Sequence, residues 1–178
     1  EGARDVPARL VAGHHFYRTA ILGIPEGSEL RRPLDAALNR IPIPPEGILL
    51  TDRLAERLDV KVGDVLRVET LSGKRLARDV PVAGTVRDLL GLFAYMNLDA
   101  LNRLMGEGDS VSSISVRVDR TESDALFRHL KEHPRVAIVA SKTAMLQNFR
   151  ETSARNLLFF TAVLTAFAAV IAIGVVYN

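Results

Sequence analysis

Leu157-Leu158-Phe159-Phe160-Thr161-Ala162-Val163-Leu164-Thr165-Ala166-Phe167-Ala168-Ala169-Val170-Ile171-Ala172-Ile173-Gly174-Val175-Val176-Tyr177 is a run of 21 residues without a charge. As a helix rising 1.5 Å per residue it reaches about 31 Å, the thickness of a bilayer's hydrocarbon core. It contains no proline, and its one glycine, Gly174, lies near the end. A core helix of a soluble protein would normally keep a polar face, and this run has none. The run therefore reads as a transmembrane span bounded by Leu157 and Tyr177, with Tyr177 where an interfacial aromatic belongs. Small residues recur within it at helical spacing. Thr161, Thr165 and Ala169 are four apart, as are Ala168 and Ala172. Such rows let helices approach closely in lipid, so these residues form a candidate helix-packing face.

Working outward, Arg155 is the last charge. Ser141 suits an N-cap for a helix starting at Lys142, and nothing from Lys142 to Asn156 would break it. One helix is expected from Ser141 to the end of the sequence. Its first half carries Lys142, Gln147, Asn148, Arg150, Glu151 and Arg155, and its second half faces lipid. The expected organisation is a folded domain over 1–141, a stalk helix over 142–156 and a transmembrane helix over 157–178.

The 178 residues are 48% apolar and 25% charged, ordinary for a globular domain and enough for a proper core. A net charge of +2 without Lys/Arg clusters argues against nucleic acid. The absence of cysteine removes disulfides, thiolate catalysis and cysteine-based zinc sites. The chain opens Glu1-Gly2-Ala3-Arg4, with no signal-peptide pattern, and is expected to be cut from a longer protein.

Residues 1–140 alternate strand and helix patterns. Arg9–Val11 and Phe16–Ile24 read as a hairpin around Gly13. Leu30–Leu38 is a short helix candidate. Ile41-Pro42-Ile43-Pro44-Pro45 must run extended. Gly47–Leu50 reads as a buried strand. Thr51 or Asp52 then caps a helix with Leu54, Ala55 and Leu58 inside. Val65–Leu71 and Arg75–Val86 are strands around the Ser72-Gly73 turn, with Pro81 marking an edge or bulge. Leu98–Met105 is a helix. The last unit reads as β-α-β. Ile114, Val116 and Val118 form a half-buried strand, and Thr121 with Asp124 makes a capping box. Leu126, Phe127 and Leu130 face inward, Pro134 ends the helix, and Val136–Val139 is the second strand. The fold class expected is α+β, a mixed-sheet extracytoplasmic domain followed by a long C-terminal helix that becomes a transmembrane span.

The run Gly47-Ile48-Leu49-Leu50-Thr51-Asp52-Arg53-Leu54-Ala55-Glu56-Arg57-Leu58-Asp59-Val60-Lys61-Val62-Gly63-Asp64 resembles a segment of the periplasmic domains of FtsX/MacB-type ABC transporter permeases. So do Val82-Ala83-Gly84 and Ala94-Tyr95-Met96-Asn97-Leu98-Asp99-Ala100-Leu101-Asn102. Arg155-Asn156-Leu157, leading to Ile173-Gly174-Val175-Val176-Tyr177-Asn178, is similar to the entry into their second transmembrane helix and the start of the FtsX-like domain. The resemblance implies a periplasmic domain between the first two spans of a permease in the bacterial inner membrane, with Arg155 outside. It implies a cytoplasmic ABC ATPase subunit and a second permease subunit as partners, with a periplasmic partner protein as a further candidate. It also implies that ATP hydrolysis in the partner drives export or extraction of a lipid, lipoprotein, peptide or drug.

Chemistry-bearing motifs are few. No phosphate-binding Gly-rich loop occurs, so the chain is not expected to hydrolyse ATP; Ser72-Gly73-Lys74 is a turn. His129-Leu130-Lys131-Glu132-His133 spells H-x-x-E-H but sits at a helix end before Pro134. It reads as a solvated helix end. His14-His15 reads as a turn. No catalytic residue, cofactor or metal is expected. Phe93, Tyr95 and Met96 suit either an exposed apolar patch or the core. Two other readings remain: a single-span sensor with an extracytoplasmic ligand-binding domain, and a soluble small-barrel enzyme whose apolar tail is an internal core helix.

Overall fold

The computed structural model describes residues 1–31, 33–35, 39–87, 91–119 and 121–176. They form two units, Glu1–Arg117 and Val118–Asn178. The fold is α+β, with a mixed sheet and a long C-terminal apolar helix.

In the first unit β1 (Gly2–Ala12) and β2 (His15–Ile24) make the hairpin, turning at Gly13 and His14. Both strands run further towards the turn than the periodicity marked. β3 (Ile48–Thr51) leads into α1 (Asp52–Leu58). β4 (Val65–Thr70) and β5 (Ala77–Val86) are the second antiparallel pair, and β6 (Ala94–Asn97) leads into α2 (Leu98–Met105). The strands pair in the order β2-β6-β3-β5-β4-β1, and β1 also pairs with β2, so the sheet closes on itself as a small barrel. Two pairings, β2–β6 and β3–β5, are parallel; the rest of the ring is antiparallel. β7 (Ser113–Ile114) adds to the start of β1 outside the ring.

Alternation decides what fills the barrel. Val6, Ala8 and Leu10 of β1, Leu66 and Val68 of β4, and Val80 and Val82 of β5 point inward and are buried. The intervening residues of these strands are mostly exposed or half-buried. β3 and β6 are buried on both faces, as a continuous apolar strand requires. Ile48, Leu50, Ala94 and Met96 enter the main core. Leu49 and Tyr95 face the other way and join Ile24 and Val86 in a second cluster. Ile41 and Ile43 of the proline-rich segment pack on that cluster, which gives the extended segment its place. Tyr95 and Met96 are thus core, and only Phe93 is exposed.

Gly47 opens β3 at φ +85°, and a Cβ there would lie 2.9 Å from the Pro81 carbonyl oxygen. That approach, with the positive φ, requires glycine. The bulge signalled by Pro81 is present: β3–β5 register slips between Ile48↔Val82 and Leu49↔Gly84. Val82 N–H then donates to the Asp64 carbonyl (2.8 Å) and Gly63 N–H donates to the Val82 carbonyl (2.9 Å), so the Gly63-Asp64 turn takes up the backbone groups freed by the bulge.

The two helices follow the same scheme. Each leaves a fully buried four-residue strand and ends in a left-handed residue, Asp59 for α1 and Gly106 for α2. Leu54 and Leu58 from one, and Leu101 and Met105 from the other, enter the main core. Because β3 and β6 are antiparallel, α1 and α2 leave from opposite ends of the barrel and close it there. The caps differ. Asn97 Oδ1 accepts from the N–H groups of Asp99 (2.9 Å) and Ala100 (3.3 Å). Thr51, the N-cap of α1, makes no side-chain cap bond, and its hydroxyl is buried.

Four expectations need correction. The helix proposed over Leu30–Leu38 falls partly on 32 and 36–38, outside the described residues. Around it Leu34 bridges antiparallel to Arg40, and the Asn39 N–H donates to Asp35 (2.7 Å). Pro33 has no N–H to offer a helix. The strand expected through Val118 is paired only at Ser113–Ile114. Val136–Val139 is not a strand, because no neighbouring strand takes its backbone hydrogen bonds. Finally, α3 (Ser123–Glu132) starts from Glu122 without a side-chain cap bond, so Thr121 and Asp124 form no capping box. Leu126, Phe127 and Leu130 are half-buried, and His133, just before Pro134, terminates the helix.

A polar clasp holds the start of β1. The Glu1 carboxylate accepts from the Ser28 hydroxyl (2.7 Å) and from the N–H groups of Glu29 and Leu30 (2.9 Å each). Arg31 bridges Asp5 (3.0 Å) and Ser113 (2.8 Å). The Glu29 amide, then the Ser28 hydroxyl and the Leu30 amide, lower the Glu1 pKa from 4.5 to about 2. A carboxylate depressed in the folded state stabilises it fully above its unfolded value, and that contribution fades as pH falls through the folded value. Replacing Glu1→Gln is therefore expected to flatten stability against pH between 4.5 and about 2, as read by denaturant unfolding at stepped pH. Leu54 is 0% exposed. Leu54→Ala should destabilise the first unit by about 2–5 kcal/mol in urea unfolding, through lost burial and the cavity left behind.

Candidate membrane-spanning helix

α4 (Lys142–Val176) is one uninterrupted helix of 35 residues. Ser141 caps it as the sequence implied: its Oγ accepts from the Ala144 N–H (3.3 Å), and its carbonyl accepts from the Met145 N–H (3.0 Å). Gln147 donates to Glu151 (3.0 Å) one turn on, along the polar half. Within α4, Lys142–Ile173 is long and apolar enough to cross a membrane, and none of it is buried.

Leu158, at 71% exposure, is typical of the apolar half. Leu157, Phe159, Phe160, Leu164, Phe167, Val170, Ile171, Ile173 and Val175 are exposed to a similar degree. Burying one such side chain is worth about 1.5–3 kcal/mol, so water all round this helix would be strongly unfavourable. The two hydroxyls in the described part of the apolar half are already satisfied. Thr161 Oγ1 donates to the Leu157 carbonyl and Thr165 Oγ1 to the Thr161 carbonyl, both at 2.8 Å. A helix with its backbone bonded internally and its hydroxyls turned back on it has no polar group left for water, which is the condition for lying in hydrocarbon.

At about 100° per residue, Thr161, Thr165, Ala168, Ala169 and Ala172 fall within an arc of about 100°. Leu157, Phe160, Leu164, Phe167 and Ile171 occupy a separate arc. Leu146 and Phe149, exposed on the polar half of α4, continue that second arc beyond Arg155. Tyr177, the expected inner end of the span, lies outside the described residues, as does Asn178.

The remaining motifs sit in ordinary surroundings. His14 lies in the β1–β2 turn, whereas His15 is already the first residue of β2, paired with Ala12; their rings are 3.9 Å apart. His129 and His133 lie at the end of α3 with rings 6.0 Å apart, edge to face. Among the described residues no three His, Asp or Glu side chains are placed to hold a metal. A hollow over α1 carries no local sequence signal, because Gly91 and Leu92, which line it, lie far from Arg53 and Arg57 along the chain.

A chain ending at Asn156 is expected to stay in the soluble fraction, while the chain through Asn178 should pellet with membranes and need detergent for extraction. Equal solubility of the two would show that the helix does not enter lipid.

No family model and no curated protein matches the chain. Among solved structures, it is similar to the extracellular domain of the noncanonic ABC-type transporter YknZ from Gram-positive bacteria. The two are 15% identical, with a TM-score of 0.48, over 70% of this chain and 67% of that one.

Proposed function

We propose that this chain is the extracytoplasmic domain, stalk and second span of a permease subunit in a transmission-type ABC transporter. The observation that carries the reading is α4, continuous from a polar, water-suited half into a charge-free half of hydrocarbon length. The sequence similarity of Gly47–Asp64, Ala94–Asn102 and the Arg155-Asn156-Leu157 entry to FtsX/MacB-type permeases supports it. On this reading residues 1–141 fold in the periplasm, 142–156 form the stalk and 157–178 cross the bacterial inner membrane. The chain performs no chemistry. A cytoplasmic ABC ATPase hydrolyses ATP, and a helix without a break passes the resulting movement to the outside domain. Export or extraction of a lipid, lipoprotein, peptide or drug is the corresponding activity. Thr161, Thr165, Ala168, Ala169 and Ala172 face another membrane helix, in this subunit or in a second permease subunit, because small side chains allow close backbone approach. Leu146 and Phe149 call for a second helix along the stalk.

These residues hold no cysteine, so single cysteines introduced here report topology cleanly once any cysteine elsewhere in the full protein is replaced. Ser153→Cys in the full protein should react with a membrane-impermeant maleimide added outside intact inner-membrane spheroplasts. Asn178→Cys should react only after permeabilisation. Labelling in the opposite sense would reverse the orientation. Retention of an ATPase bearing a phosphate-binding loop on the detergent-extracted full protein separates a permease from a single-span sensor, which would retain none.

A further inference from the structure

Six arginines of the first unit, Arg4, Arg9, Arg31, Arg67, Arg87 and Arg103, each face a carboxylate. Arg53 and Arg57, one turn apart on the outer face of α1, form no ion pair among the described residues, as is also true of Arg18, Arg40, Arg75, Arg78 and Arg117, but only these two share a hollow. Both line an open hollow of about 540 Å³, together with Glu56, Gly91 and Leu92. The Arg57 guanidinium lies over the Tyr17 ring, 5.1 Å from its centre, which restrains its position without neutralising it. The Gly91–Leu92 wall is fixed to the barrel, because Thr19 Oγ1 donates to the Leu92 carbonyl (2.5 Å).

We propose that this hollow binds a phosphodiester group. Residues four apart on a helix are close neighbours, so both guanidinium forks can reach one tetrahedral oxyanion held in the hollow they line. Glu56 on the rim offsets one of the two positive charges, and a singly charged phosphodiester balances the remainder. Leu92 offers an apolar contact to whatever the phosphate carries. The site stands on barrel geometry alone and does not depend on the permease reading.

The test uses the full chain in non-ionic detergent, following the Gly91 and Leu92 amide resonances. The probes are short-chain phosphatidylglycerol and its deacylated headgroup, glycerophosphoglycerol. Saturable shifts are expected, with affinity falling by about ten-fold or more in the double variant R53Q/R57Q. Arg103→Gln, on α2 at the opposite end of the barrel, should leave affinity unchanged. Tighter binding of the lipid than of its headgroup identifies a membrane lipid as the source, and equal binding identifies a soluble phosphodiester. The proposal is overturned if neither probe saturates by about 10 mM. It is also overturned if the double variant loses less than ten-fold, or if Arg103→Gln loses as much. All three arginines are exposed, and the amide spectrum of each variant reports directly that the barrel has kept its fold.

Discussion

β1 meets β2 along one edge and β4 along the other, and its first residues also hold β7. Every other strand of the ring needs this one to close it. Without the β1–β4 pairing the sheet would present two open edges, and their unpaired amides and carbonyls would face water or another chain. Closure also sets which side is the interior. Val6, Ala8 and Leu10 alternate inward from β1 and meet Leu66 and Val68 from β4 in the same core. The clasp of Glu1, Arg31 and Asp5 secures the beginning of this strand, and the buried Arg4 guanidinium secures its flank. Arg4 donates to Asn102 (2.5 Å) and pairs with Glu107, which ties β1 to α2 and the residues just beyond it.

A barrel of this size has two open mouths, and the chain fills both by the same means. A buried strand runs into a short helix whose leucines turn back into the core. Sequence order places the two copies forty-six residues apart, at Ile48 and Ala94, and antiparallel pairing of their strands sends the helices to opposite mouths. The outer surface of β3 and β6 would still be apolar. Ile41 and Ile43, on a segment whose prolines exclude it from helix, cover it.

The second unit obeys a different solvent. The barrel buries most of its large apolar side chains, whereas α4 leaves those of its apolar half exposed. Both are stable arrangements only if water surrounds one and hydrocarbon the other. That division, more than any single residue, supports reading the chain as part of a membrane protein, a folded barrel followed by a helix long and apolar enough to cross a bilayer.

Local sequence determined the helix through the span, its Ser141 cap, the Leu98–Met105 helix and the Gly13 hairpin, because periodicity, capping and turn chemistry act over a few residues. It also determined that Leu54, Ala55 and Leu58 face inward. Ring closure through β1, the parallel pairing of β2 with β6, and the sorting of Leu49 and Tyr95 into a second cluster were decided by tertiary structure. Each depends on backbone partners distant in the chain, and alternation alone cannot name them. The same reason separates Ile114 from Val136–Val139. Both segments carry the strand pattern, yet a strand exists only where a neighbour accepts its hydrogen bonds, and only Ser113–Ile114 finds one, on β1. The hollow of Arg53 and Arg57 likewise became visible only when the fold brought Gly91 and Leu92 alongside α1.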